Sequence, residues 1–367
     1  MNNYKKHIFD TFDCDVWHSL LKTDKPILIY GMGNGADKII DAFERYGIEY
    51  SDVFASDGFV RGHSYRGKRV LSYSEAFEKY NGIFDIVVSF GSKLPDVIKR
   101  IYDLEDKHTV YAPDVPVCQG EIFNEEFFDL HQKELFLARE CFCDQRSRDI
   151  FDDIIRFKLT GKPCYLRTTA DSEETLDRLL RCESYKVYVD LGAYNGDTIK
   201  KYSSLCPNLE SIYAFEPDKR NFKKLSAYCE ALTGIESHCL NLASYRCDTT
   251  LEFSSSGNRN SSANSSGSFQ HKTIQIEAKA PDNVCKTADF IKLDVEGLEH
   301  DSLLGCTRLI KECSPDLLVS MYHLSEDMYD LPLLVKKLNP DYSLFLRRLP
   351  YIPAWDLNMY AIKAPQD

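Results

Sequence analysis

Apolar residues along this chain fall into two copies of one rhythm: a short continuous apolar run, a glycine-bearing turn, then a longer segment with helical spacing. The first copy is Pro26-Ile-Leu-Ile-Tyr-Gly-Met-Gly-Asn-Gly-Ala36, after which Ile39, Phe43 and Tyr46 share one helix face before a stop at Gly47. Further strands are predicted at Asp52–Ala55 and Asp85–Phe90, and helices around Tyr73–Tyr80 and Leu94–Leu104. From Glu121 to Lys158 the chain is dense in Phe, Leu, Glu, Arg and Asp at helical spacing, without Pro or Gly, which predicts one or two bridging helices. The second copy begins at Val187, and the chain closes with a predicted antiparallel pair, Tyr342–Leu349 and Leu357–Ala364. Alternating strands and helices define an α/β protein. The expected units are an N-terminal Rossmann-like domain (1–117), a helical bridge (118–182) and a C-terminal domain (183–367).

The second copy carries the more specific chemistry. In Val187-Tyr-Val-Asp-Leu-Gly-Ala-Tyr-Asn-Gly-Asp-Thr198 a strand ends near Asp190, Gly192 and Gly196 form a turn, and Ile199, Tyr202 and Leu205 follow at helical spacing. Glycines lacking Cβ let a turn bend sharply beside the free amides of a helix start. A second strand, Ile212-Tyr-Ala-Phe-Glu-Pro217, ends in Glu216, roughly 20 residues on, the separation at which a carboxylate accepts both hydroxyls of a ribose. The turn reads Gly-x-x-x-Gly and lacks the three-glycine pattern that fits a pyrophosphate, which favours a ligand without phosphates. Asp190 offers a carboxylate to a cationic amino group, which S-adenosylmethionine has and NAD lacks. The expected cofactor is therefore S-adenosylmethionine, held by Asp190, Gly192, Ala193, Tyr194, Gly196, Glu216 and Pro217. The plain alternative is an ordinary βα turn whose glycines serve packing.

From Ala288 to Gly305 another apolar strand runs into carboxylates at a helix start. Ile-Lys-Leu-Asp-Val-Glu-Gly-Leu-Glu (291–299), backed by Leu303, Leu304 and Gly305, resembles the signature of the FkbM family of S-adenosylmethionine-dependent methyltransferases. Val-Asp-Leu-Gly-Ala-Tyr-Asn-Gly-Asp-Thr and Ala-Phe-Glu-Pro resemble that family's cofactor motifs. Ser320-Met-Tyr-His-Leu-Ser-Glu-Asp327 with Leu344-Phe-Leu-Arg-Arg348 is similar to a branch with a Tyr-His at a strand end and a basic pair near the C-terminus. That branch often has a histidine where Arg348 stands. The resemblance covers about residues 120–364 with the motifs in order. It implies a seven-stranded class I methyltransferase (Rossmann-like) sheet, preceded by the smaller N-terminal domain.

Methyl transfer from a sulfonium requires alignment of the acceptor oxygen and removal of its proton. Asp294 and Glu296 end one strand and His323 ends the next, so neighbouring strands would bring them to one cleft. The expected catalytic set is His323 as general base, with Asp294 or Glu296 orienting it, the acceptor or the donor amino group. Two other uses are open: Glu296 capping the following helix, and Asp294, Glu296 and His323 holding a divalent metal, the less favoured reading. Arg347 and Arg348 are candidates for gripping an anionic part of the acceptor. The expected activity is O-methylation of a small-molecule or saccharide hydroxyl. The rivals are a NAD- or nucleotide-sugar-dependent oxidoreductase or epimerase using the N-terminal glycine turn, and a non-catalytic S-adenosylmethionine binder.

Composition narrows this picture. With 57 acidic against 45 basic residues the net charge is −12, unlike a nucleic-acid binder. No apolar run approaches the ~20 residues of a membrane span, and no leader pattern is present near Met1, so a cytoplasmic protein is expected. Thirteen cysteines without Cys-x-x-Cys pairs read as reduced thiols. The N-terminal turn, with Gly31, Gly33, Gly35 and Asp57, resembles the short domain that holds a nucleotide sugar in certain sugar acyltransferases. It is weighed against a domain kept for packing or docking. The Ser/Asn/Gly-rich run Ser254–Ser268, between strand-like Thr250–Phe253 and Thr273–Ile276, is expected to be a lid or a plain connector. Asp144-Gln-Arg-Ser147 is read either as a contact at the site mouth or, preferably, as a charged helix face.

Overall fold

The computed structural model describes residues 2–60, 62, 64–116, 118, 120–254 and 273–363. Two sheets organise it. The first contains β1 (Ile27–Tyr30), β2 (Asp52–Ala55), β3 (Leu71–Ser72), β4 (Asp85–Val88) and β5 (Thr109–Tyr111) in the order β3-β2-β1-β4-β5. Every pairing in it is parallel. β1, β2 and β4 are buried along their whole length, which is why they read as continuous apolar runs.

The second sheet contains β6 (Val187–Leu191), β7 (Ser211–Phe215), β8 (Glu236–Leu240), β9 (Phe290–Leu293), β10 (Asp316–Ser320), β11 (Tyr342–Arg348) and β12 (Leu357–Lys363). Its order is β8-β7-β6-β9-β10-β12-β11, with β12 antiparallel to both neighbours and the other pairings parallel. Strand order reverses between β6 and β9, and the crevice at such a switch point is where open α/β sheets bind ligands. The expected C-terminal antiparallel pair is present as β11 and β12. A small sheet of Ala243–Ser244, Thr249–Ser254 and Thr273–Lys279 flanks this edge. Most of the expected lid lies outside the described residues.

Between the sheets run the helices Glu125–Glu140 and Gln145–Thr160, each N-capped by a side chain, Asn124 and Asp144. The second helix is no solvated linker: Ile150, Phe151, Ile154, Ile155, Phe157 and Leu159 are all fully buried. They join one apolar cluster that includes Leu28 and Phe54 of the first sheet and Leu344 and Leu346 of the second. Asp144 and Ser147 do not reach the mouth of a site. Asp144 accepts from Arg347 Nη2 at 2.5 Å, and Ser147 Oγ accepts from the Leu346 amide at 2.9 Å, which fastens the bridge to β11. A buried Lys158–Asp114 ion pair ties the same helix to the segment after β5.

At Gly31 and Gly35 the N-terminal glycine turn packs against the residues that follow β4. Gly31 and Gly33 have φ of 110° and 116°, and a Cβ on Gly35 would lie 2.1 Å from the Ser89 carbonyl. Asp57, grouped with those glycines as a candidate ligand residue, accepts from the Ser74 amide and hydroxyl at 3.2 and 3.0 Å, at the start of the helix Tyr73–Lys79. Gly35→Ala should therefore force the helix Asn34–Tyr46 off β4 and cost about 1–3 kcal/mol of stability, read as a lower denaturant midpoint at unchanged slope.

Candidate active site

The carboxyl ends of β6, β7, β9 and β10 surround a cavity of about 320 Å³, a size suited to a small molecule. Gly192, Tyr194, Glu216 and Pro217 line it from β6 and β7, Asp294 and Glu296 from the end of β9, and Tyr322 from the end of β10. Gly192 has φ 85°, and an added Cβ would stand 1.9 Å from the Asp294 carbonyl. The glycine thus permits a close approach between two strand ends, one from each sequence motif. Gly196, at φ 86°, starts the helix Asp197–Leu205. Gly196 and the buried Ala193 shape the turn without lining the cavity.

Glu216 faces the turn that the sequence paired with it. Its Oε2 accepts from the Tyr194 amide at 2.9 Å and its Oε1 from the Asp218 amide at 2.8 Å. Burial raises its pKa to about 7 against the opposing pull of those amides. Asp190 differs from expectation. It is fully buried beneath the cavity, where Oδ2 accepts from Thr198 Oγ1 at 2.5 Å and Oδ1 lies 3.3 Å from Lys292 Nζ. Its ammonium partner is the chain's own lysine, so Asp190 supports the turn and leaves the ligand to others. Lys292 also donates to the Gly192 carbonyl at 2.8 Å and stands 3.9 Å from Asp294. Burial works against the Lys292 charge, but Asp190 and Asp294 outweigh it and raise its pKa.

Asp294, Glu296 and His323 do converge. His323 Nε2 lies 3.5 Å from Asp294 Oδ1 and 3.4 Å from Glu296 Oε2. A fourth member, Glu299, was missed by the sequence reading: its Oε1 is 2.9 Å from His323 Nδ1, close but out of line for a well-formed hydrogen bond. Glu299 rather than Glu296 closes the turn, accepting from the amides of Val295 at 2.8 Å and Gly297 at 3.0 Å. Its place three residues after Glu296, at the head of the helix Glu299–Gly305, was the available signal. Glu296 is held at φ 55°. Of the six non-glycine residues with left-handed φ among those described, three, Tyr194, Glu296 and Asp356, line this cavity, where backbone strain of this kind tends to collect.

His323 has no exposed side-chain surface, whereas the side chains of Asp294 and Glu296 are 34% and 26% exposed. The histidine stands behind the carboxylates. Burial opposes its charge, but Glu299, Glu296 and Asp294 outweigh that and lift its pKa to about 10. Asp294 is held low: burial would raise it, but Lys292 and His323 prevail. Burial raises Glu296 to about 8.

Asp294, Glu299 and His323 each place a ligand atom within 4.8 Å of the others, a set of oxygens and one imidazole that suits a divalent ion. Both Glu299 oxygens are nevertheless engaged by backbone amides, and Glu296, named in the sequence reading, is not in the set. Arg347 and Arg348 do not serve the acceptor either. Arg347 is held by Asp144 and Ser147, and the buried Arg348 donates to the Leu166 and Tyr351 carbonyls at 3.0 and 2.9 Å.

Strand order and a cavity at the switch point define a methyltransferase-type α/β protein. Residues 190–351 match the family model described as Methyltransferase FkbM domain, so the chain carries a methyltransferase domain of the FkbM family. Its fold is similar to the crystal structure of methyltransferase FkbM from Methylobacillus flagellatus KT, with TM-score 0.68 and 18% identity over 98% of this chain and 93% of that one. Fibrillarin from Aeropyrum pernix, solved with natively bound S-adenosyl-L-methionine, aligns at TM-score 0.32 and 12% identity over 52% of this chain and 74% of that one. No curated protein matches the chain. No described helix is long and apolar enough to cross a membrane.

The raised pKa of His323 has a stability consequence. A buried imidazolium favoured by folding stabilises fully below its ordinary pKa of 6.5, and this contribution is lost as pH rises toward about 10. Chemical unfolding should show stability falling over that window, and His323→Gln should flatten the fall. Glu299→Gln should cost about 3 kcal/mol, since it removes the carboxylate that faces Nδ1 of a buried imidazolium.

Proposed function

We propose that this chain is an S-adenosylmethionine-dependent O-methyltransferase acting on a hydroxyl of a small molecule or saccharide. The observation that carries this reading is one cavity lined at its β6–β7 end by Glu216 and Tyr194 and at its β9 end by Asp294 and Glu296. The family match supports reading the first end as the donor site, with Glu216 accepting from the ribose hydroxyls through the lone pairs its amide partners leave free. The second end receives the acceptor.

Bound there, S-adenosylmethionine would supply an activated methyl and depart as S-adenosylhomocysteine, while the chain's part would be to align the acceptor hydroxyl and take its proton on a carboxylate. Glu296 is the proton acceptor. It lines the cavity, and a carboxylate with pKa near 8 is a far stronger base than an ordinary one. Asp294, ionised beside Lys292 and receiving the Tyr322 hydroxyl at 3.2 Å, orients the acceptor. His323, screened from the cavity and charged, steadies both carboxylates from behind. This moves the base role from the histidine expected at first to the carboxylate in front of it.

Two measurements test these roles. Affinity for S-adenosylmethionine, followed by calorimetric titration, should weaken as pH falls through about 7, where Glu216 gains a proton, and Glu216→Gln should weaken binding and remove that dependence. Tight binding of NADH with none of S-adenosylmethionine would instead favour the oxidoreductase reading. Glu296→Gln should lower kcat by about 100-fold or more while cofactor affinity stays within about threefold, and the wild-type rate should rise with pH toward about 8. Retained turnover in Glu296→Gln, with loss in a folded His323→Gln, would return the base role to the histidine.

A further inference from the structure

The cavity has a wall that the catalytic carboxylates do not explain. Along the sheet edge the order runs from Glu216 after β7, through Gly192 after β6 and Asp294 after β9, to Tyr322 after β10. Beyond Tyr322 stand Tyr351, Trp355 and Asp356, in the turn between β11 and β12. The Tyr351 and Trp355 rings lie 5.4 Å apart at 45°, a half-buried apolar surface of the kind that meets the C–H face of a sugar.

The N-terminal unit reaches this wall. After β4, the Ser92 amide donates to the Ile352 carbonyl at 2.9 Å, and the Ile352 amide returns the bond at 3.1 Å. Gly91 lies so close under Trp355 that a Cβ there would stand 2.3 Å from the indole. These contacts place the next residue, Lys93, in the cavity lining. Lys93 makes no hydrogen bond or ion pair with any described residue. Lys292, the other lysine of the lining, is held by Asp190 and by the Gly192 carbonyl. A lysine that lines the same cavity as this aromatic wall and is held by no described residue is a recognition element for one negative group.

Resting on the methyltransferase reading, we propose that Lys93 is a specificity-determining residue that selects an acceptor saccharide bearing an anionic group, a carboxylate or a phosphate. The anion recognition that the sequence assigned to Arg347 and Arg348 thereby falls to a residue of the N-terminal unit, which gives that unit a part in acceptor choice.

Trp17 and Trp355 are the two tryptophans, so in the full chain carrying Trp17→Phe the emission of Trp355 reports on the wall. Titration with D-glucuronate and glucose 6-phosphate, set against D-glucose, should show a preference of about tenfold or more for the anionic sugars, the scale of one charged hydrogen bond. Lys93→Met should abolish that preference while leaving the melting temperature and the calorimetric affinity for S-adenosylmethionine unchanged. An equal or absent response to all three sugars, or a preference that survives Lys93→Met, overturns the proposal. So does a loss of S-adenosylmethionine affinity in Lys93→Met, which would give the ammonium to the donor's carboxylate. Failure of the wild-type chain to bind S-adenosylmethionine, with the anion preference intact, would sink the methyltransferase reading and leave the anionic site standing.

Discussion

One buried ammonium holds the floor of the cavity together. Lys292 projects from the middle of the sheet to within 3.3 Å of Asp190 on β6 and 2.8 Å of the Gly192 carbonyl just after it, and stands 3.9 Å from Asp294 at the end of its own strand. A lysine so deeply buried is costly unless its charge is met. Here the carboxylates that meet it belong to the carboxyl ends of β6 and β9. The Gly192–Asp294 approach is part of the same arrangement, since the strand ends can close on the lysine only where no Cβ intervenes. The turns after β6 and β9 are thereby fixed relative to each other, which the proposed alignment of a methyl donor and its acceptor requires.

Around that floor the charges are layered. Lys292 keeps Asp294 ionised, Glu299 closes the turn by accepting two amides, and His323 lies sealed behind with carboxylates on both nitrogens. What faces the cavity is a pair of carboxylates of very different basicity, because Asp294 has the lysine close by and Glu296 does not. Environments that push two neighbouring acids apart in this way are how one site both orients a substrate and accepts its proton. The N-terminal sheet, the bridge and the catalytic sheet share one apolar cluster, so the wall that completes the cavity is built on the same core as its floor.

Much of this was legible in the residue order. The apolar runs of β1 and β4 and the mostly apolar β6 and β9 announced buried parallel strands, Gly47 announced a helix end, and Glu216 stood where a second strand brings a carboxylate back to the first turn. Asp294, Glu296 and His323 were recognisable because strand ends gather at one edge of such a sheet. Asp190 misled, since a carboxylate at a turn looks the same whether its cation is a ligand or a lysine about a hundred residues later. Arg347 and Arg348 misled in the same way, their partners lying on the bridge and in the loops around it. Glu299 passed unnoticed because its place at a helix start announces a cap but not the histidine that it also meets.

Local order along the chain was therefore enough for the strands, the turns and the kinds of chemistry at their ends, since periodicity and glycine placement are properties of neighbouring residues. Which charge meets which was settled only by folding. Pairing depends on distances between residues far apart in the chain, and burial then sets which of the paired groups keeps its proton. The meeting of Ser92 with Ile352, which carries a lysine of the first sheet into the cavity of the second, has no trace in either segment alone.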